Sequence, residues 1–239
     1  MKIGVTALLL GLLSSALFAQ SAPTAPARIK AGDKVRVSVQ TYAQEDAFSP
    51  PALRDKRLAA TYLVESDDGT ERVLKYANDN RDVYDKRAAL VAVIRNGVRK
   101  DLAPAGIKHW KPAGELAPGM KWSFTTLESS PATNAPEHIC DFDGAYQASS
   151  SGGVRVVNID GKPARLTVVV VDVEGRLNWR GCDGSALRVK ERYVYSADLD
   201  LLLERDTLHQ DPFGKMLGGS GNLMMKVTAV TTAAPAVGP

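Results

Sequence analysis

The chain has 239 residues, with 30 basic and 27 acidic side chains and a formal net charge of +3. Acids and bases are interspersed along it, so there is no basic stripe to meet a phosphate backbone, and a nucleic-acid partner is excluded. Once an N-terminal leader is set aside, about 220 residues remain, enough for one large domain or two small ones.

Met1-Lys2 opens the chain, and residues 3–18 carry no charge before Ala19 and Gln20-Ser21-Ala22-Pro23. One early lysine, a short apolar core and a small-residue exit describe a secretory signal peptide over residues 1–19, cleaved after Ala19. The strongly apolar part falls short of the roughly 20 residues a bilayer span needs. The alternative is an anchoring helix that stays uncleaved. No later segment is long and apolar enough to cross a membrane, so no integral span is expected once the signal is removed. The expected location is periplasmic or secreted.

Residues 20–31 are rich in Ala, Pro and Ser and read as a flexible lead, and residues 229–239 read as a disordered tail. Between them the dominant period is two, which marks half-buried strands. Val35, Val37 and Val39 alternate with Arg36, Ser38 and Gln40. Residues 59–66 and 71–76 flank the turn Asp67-Asp68-Gly69-Thr70. Residues 89–95 and 98–102 flank Asn96-Gly97, the strongest short hairpin signal there is. Val83, Leu90, Val91 and Ile94 also fit a helix over 82–94; strand is the favoured reading.

A second series of strands begins at 120–127. Residues 145–148 form a short candidate, and 154–159 and 164–173 flank Asp160-Gly161-Lys162. The run 166–173 is nearly all β-branched, which predicts a central strand covered on both faces. Gly175 is read as a turn leading into 177–180. A three-residue loop at 197–199 would place Tyr193 opposite Leu203, Tyr195 opposite Leu201, and Glu191 opposite Arg205 on the tyrosine face. Gly32-Asp33-Lys34-Val35 resembles Gly119-Met120-Lys121-Trp122, each at the head of a strand series. The expectation is therefore an all-β, mainly antiparallel protein: a curved sheet, half-barrel or sandwich. Two tandem related β modules, 32–115 and 116–228, fit this reading.

Cys140 and Cys182 are the two cysteines. In an exported chain they are expected to form one disulfide, worth ~4 kcal/mol in the chain-entropy model. No Gly-x-Ser-x-Gly elbow, His-Glu-x-x-His or Cys-x-x-Cys is present. The glycine-rich stretch 214–221 lacks the Gly-Lys-Ser/Thr ending of a phosphate loop. His138 lies beside Cys140, Asp141 and Asp143, a cluster that could ligate a metal or arm a thiolate. The bland reading, a disulfide-anchored loop with ordinary turn acids, is favoured. His109 precedes Trp110 in a Pro/Gly-rich connection, and His209 ends the last well-patterned strand, where it could hold a general base but has no partner nucleophile in sight.

Leu116-Ala-Pro-Gly119-Met-Lys-Trp122 resembles the L/P-x-x-G-x-x-W opening of a broad set of bacterial envelope proteins of unknown function. Glu191-Arg-Tyr-Val-Tyr195-Ser-Ala-Asp-Leu199 resembles their aromatic-rich closing hairpin, with Ala197 in place of the usual proline. These proteins are similar in layout to the curved half-barrels of periplasmic lipoprotein carriers. The resemblance covers residues 116–211 and implies an envelope location and a concave sheet. It supplies no catalytic residue.

The expected function is non-enzymatic binding of a lipid or other apolar envelope ligand, or of an envelope protein partner. The candidate ligand-binding residues are Trp122, Trp179, Glu191, Tyr193 and Tyr195. No catalytic set, cofactor or metal is indicated. The competing readings are a hydrolase or metal-dependent enzyme centred on His138, Asp141 and Asp143, and a structural or assembly component of the envelope whose sheet edge pairs with another chain.

Overall fold

The computed structural model describes residues 28–46, 49–132, 135–180, 186–217 and 221–234, with the side chains of 130–139 excepted. The expected signal peptide, Cys182 and the end of the tail lie outside them.

Thirteen strands form one curved, almost wholly antiparallel sheet. In the first half these are β1 (Lys34–Ala43), β2 (Ala52–Leu53), β3 (Leu58–Asp67), β4 (Glu71–Tyr76), β5 (Arg81–Asp85), β6 (Leu90–Arg95) and β7 (Val98–Asp101). In the second half they are β8 (Lys121–Ala132), β9 (Ala135–Ile159), β10 (Lys162–Arg180), β11 (Leu187–Ser196), β12 (Leu201–Gln210) and β13 (Leu223–Thr231). The order across the sheet is β7-β6-β5-β4-β3-β1-β13-β12-β11-β10-β9-β8, with β2 on β1. β1 and β13 pair, which joins the two halves. The end of β13 also runs parallel to β9, Val230 beside Ile159, which closes β9 to β13 into a circuit.

Turn chemistry sets the hairpins. Asn96-Gly97 and Asp160-Gly161 have φ of 51° and 78°, and of 49° and 79°. Positive φ at both central residues defines the tight turn whose twist matches the flanking strands. Residues 81–85 and 90–95 are strands joined by a turn, not a helix. Gly32 and Gly119 share a further role: each has positive φ (92° and 87°) and sits two residues ahead of its strand.

Three local expectations are corrected. The short strand at 145–148 is part of the long β9. The stretch 149–153 is small and polar and shows no alternation, yet it pairs continuously with β10. Gly175 does not turn the chain; it lies inside β10, paired with Tyr146. A Cβ there would come within 2.2 Å of the Tyr146 ring, so the missing side chain makes room for that ring. In the β11–β12 hairpin the loop is one residue longer than expected, because Ser196 pairs with Leu201. A bulge at Val194/Tyr195 then shifts the ladder again, placing Tyr193 opposite Arg205 and Glu191 opposite Thr207. The total slip is two residues, so Glu191 and Arg205 keep a common face, diagonal rather than opposed.

Two apolar cores lie on opposite faces of the sheet. Leu166 and Val168 of β10 belong to the first, while Val171 and Val173 belong to the second. Alternate residues of a strand point to opposite faces, so the run is covered on one face around Leu166 and Val168 and on the other around Val171 and Val173; Thr167 is exposed and Asp172 half-exposed, so the expected cover on both faces along the run is not met. The first core draws Val35, Tyr62 and Leu74 from one half and Val157, Val194, Leu203 and Val227 from the other. It also takes in Ile29 and Val230, at 2% and 1% exposure. Both were expected in the lead and the tail. The second core belongs to β9, β10 and β11 and is capped by Trp110.

Candidate functional site

The five residues singled out in the sequence gather in or against the second core. Glu191, Tyr193 and Tyr195 alternate along one face of β11 and are buried. The Tyr193 ring stacks on Trp110 at 4.5 Å between centroids. Tyr195 meets Trp110 edge-on at 6.3 Å and donates its hydroxyl to Asp200. Trp179 tilts against Phe142 at 4.3 Å. Trp122 packs on the same core from β8, with its indole nitrogen buried and unpaired.

What covers this face is the link between β7 and β8, which the sequence shows only as a Pro/Gly-rich connection. It forms one short turn, Pro104–Gly106, and residues 107–111 then cross the face like a strap. Lys108 reaches between two carboxylates: its ammonium is 2.9 Å from Glu128 Oε1 and 3.3 Å from Glu191 Oε1. It also sits 4.5 Å above the centre of the Tyr146 ring. Trp110 donates its indole N–H to the Ala88 carbonyl at 3.2 Å. The Lys111 ammonium lies 3.9 Å from the centre of the Tyr195 ring.

The carboxylates are further satisfied from the sheet. Glu191, whose side chain has no solvent exposure, accepts the Tyr193 hydroxyl at 2.8 Å and faces Arg205 at 3.8 Å. Glu128 accepts the Tyr146 hydroxyl. Burial pushes the Glu128 carboxyl up, but Lys108 and the Tyr146 hydroxyl outweigh it and hold it below its usual range. Burial, and then the neighbouring carboxylates, push the Tyr146 and Tyr193 hydroxyls far up, so both remain protonated donors. Burial lowers His209. A buried ion cluster of this kind holds the strap in one place.

Open space lies elsewhere, in a cleft between the β3–β5 hairpins and the β11–β12 turn. Tyr62, Tyr76, Tyr84, Leu74, Leu201 and Met225 form its apolar lining. Tyr62 and Tyr76 meet edge to face at 5.8 Å. Tyr76 donates to Asp82 at 2.9 Å. Burial pushes Tyr84 up to about 12. Tyr62 is 4% exposed, lines the cleft, and its hydroxyl makes no hydrogen bond among the described residues. At the rim, Arg72 binds Asp67 at 2.5 Å and Asp200 at 3.0 Å, and Arg28 also pairs with Asp200.

The sequence reading missed the tyrosine trio. Counting back from Asp67 opposite Arg72 puts Tyr62 across from Ala77. A bulge between Val64 and Ser66 moves it opposite Tyr76. The DDGT turn was the available signal, and the bulge hid the pairing.

The His138 cluster falls partly outside the described side chains. Asp141 accepts the Ser129 hydroxyl at 2.6 Å, and Asp143 lies 3.8 Å from Arg180. Among the described residues no group of three His, Cys, Asp or Glu side chains is placed to hold a metal ion. Cys140 is buried in the second core.

No family model matches the chain, and no curated protein matches it. Among solved structures it is similar to the hypothetical lipoprotein YmcC from Escherichia coli (K12), with 10% identity, 85% of each chain covered and a TM-score of 0.45. The likeness is weak. Among the described residues no helix is long and apolar enough to cross a membrane.

Proposed function

We propose that this is an exported protein of the cell envelope that binds an apolar ligand in the tyrosine cleft without transforming it. The observation that carries the reading is the open apolar cleft, whose wall holds the Tyr62 hydroxyl, a donor that makes no hydrogen bond among the described residues. A bound acceptor would give that donor a hydrogen bond worth about 1 kcal/mol. The inner face of the second half is already filled by Lys108 and Trp110, which directs the ligand to the cleft. Tyr195 then supports the site rather than lining it, by holding Asp200 at the rim.

Export is supported by the N-terminal pattern of Lys2, an apolar core and Ala19, and by the pair Cys140 and Cys182, which suits an oxidising compartment. The test uses mature protein recovered from the envelope. It is expected to begin after Ala19, to show no titratable thiol, and to gain thermal stability with at least one fraction of an envelope lipid extract. A free thiol pair would remove the export reading. No shift with any fraction would remove the ligand.

A further inference from the structure

Most of the charges around the cleft are paired within the protein; Asp85 and Lys86 are not. Arg28 and Arg72 balance Asp67 and Asp200 in one closed set. Glu71 is held by both terminal nitrogens of Arg99, at 2.8 and 2.9 Å. Asp85 accepts the backbone N–H groups of Arg87 and Ala89, each at 2.9 Å. Lys86 is left over: it lines the cleft, is exposed, and makes no ion pair among the described residues.

Two unspent groups therefore face the cleft, the Tyr62 hydroxyl and the Lys86 ammonium. Burial raises Tyr62 well above its ordinary value, so it remains a donor at any physiological pH. An ammonium is a donor only, and it attracts an anion as a point charge. A cationic head would meet Lys86 as a like charge, and the Asp67, Glu71 and Asp200 carboxylates are already paired with arginines. A neutral head would satisfy Tyr62 and leave Lys86 unused.

We infer that the cleft takes a single-chain amphiphile with one anionic head, a carboxylate or a phosphate, whose apolar chain lies along Tyr62, Leu74 and Met225 while Lys86 meets the head. This rests on the cleft being the ligand site.

The experiment titrates the mature protein with dodecanoate, dodecyl phosphate, dodecanol and dodecylammonium, each below its critical micelle concentration, and follows tyrosine fluorescence. Both anions are expected to bind at least tenfold more tightly than dodecanol, and dodecylammonium most weakly. A tighter dodecanoate would point to a free fatty acid, and a tighter dodecyl phosphate to a phospholipid-type head; both support the inference. Tyr62→Phe keeps the ring and is expected to weaken the anions about tenfold. Lys86→Gln, an exposed change, is expected to erase the preference, so that the two anions bind no more tightly than dodecanol. Equal binding of all heads, tighter dodecylammonium, or an unchanged preference in Lys86→Gln would overturn the anionic head and leave the cleft standing. No binding by any of the four would overturn both.

Discussion

Glu191 has a side chain with no solvent exposure, yet it shares its pocket with a second carboxylate, Glu128. Two such groups coexist because Lys108 stands between them. Arg205, 3.8 Å from Glu191 and nearly half exposed, is too screened to replace it. Lys108→Met keeps the aliphatic stem and deletes the charge. It is expected to cost about 3–5 kcal/mol in urea unfolding, the penalty of stranding a buried partner. The double variant Lys108→Met/Glu128→Gln should recover part of that loss, since one orphaned charge is gone. The pH dependence follows from the same contacts. Glu128 titrates below its ordinary 4.5, so its stabilising contribution is complete above that value and is lost as acid protonates it. Half-buried His209 and His109 titrate below 6.5, so acid must force a proton onto each, and stability begins to fall below about that pH. The native protein is thus expected to lose stability in two steps on acidification. The Lys108→Met variant should show a smaller lower step, because without the ammonium burial no longer has its main opponent at Glu128, while Asp200 and other paired carboxylates still titrate there.

At the scale of elements, what the sequence revealed depended on whether the cause was local. Asn96-Gly97 and Asp160-Gly161 were legible because both central positions need positive φ, and few residues accept it. The alternation of β1 and the aromatic face of β11 were legible because each strand has one buried face. The bulges at Val64/Ser66 and Val194/Tyr195 were not, since a bulge shows only in the partner strand, and through them the cleft pairing of Tyr62 with Tyr76 was lost. The strap was not legible either, because Lys108 and Trp110 make contacts across 20 to 83 residues of chain. Gly175 misled for the same reason: it was read as punctuation, whereas it answers to Tyr146 on the neighbouring strand. Gly175→Ala is accordingly expected to destabilise by about 1–3 kcal/mol or more through overpacking. In a Tyr146→Ala background the same substitution should cost little. Equal costs in the two backgrounds, read from denaturant midpoints, would show that the ring is not what excludes a side chain there.

For the molecule as a whole, the open question is whether 32–115 and 116–228 behave as two modules or as one unit. The repeated strand openings at Gly32 and Gly119 favour modules in the chain's layout. Packing favours one unit: the first core takes side chains from both halves, and β1 is sandwiched between β3 and β13. A fragment of the first half alone would expose Val35, Val37 and Tyr62 and leave one side of β1 unpaired, so little would hold it folded. The three tryptophans offer a direct reading. Trp110, Trp122 and Trp179 all report the second core, whereas far-ultraviolet circular dichroism reports every strand. If the cores are coupled through β10 and β11, which contribute to both, the two signals fall together along a urea titration. We expect coincident transitions. A tryptophan transition displaced from the circular-dichroism transition would show the second half unfolding by itself, with the seam between the halves a true domain boundary.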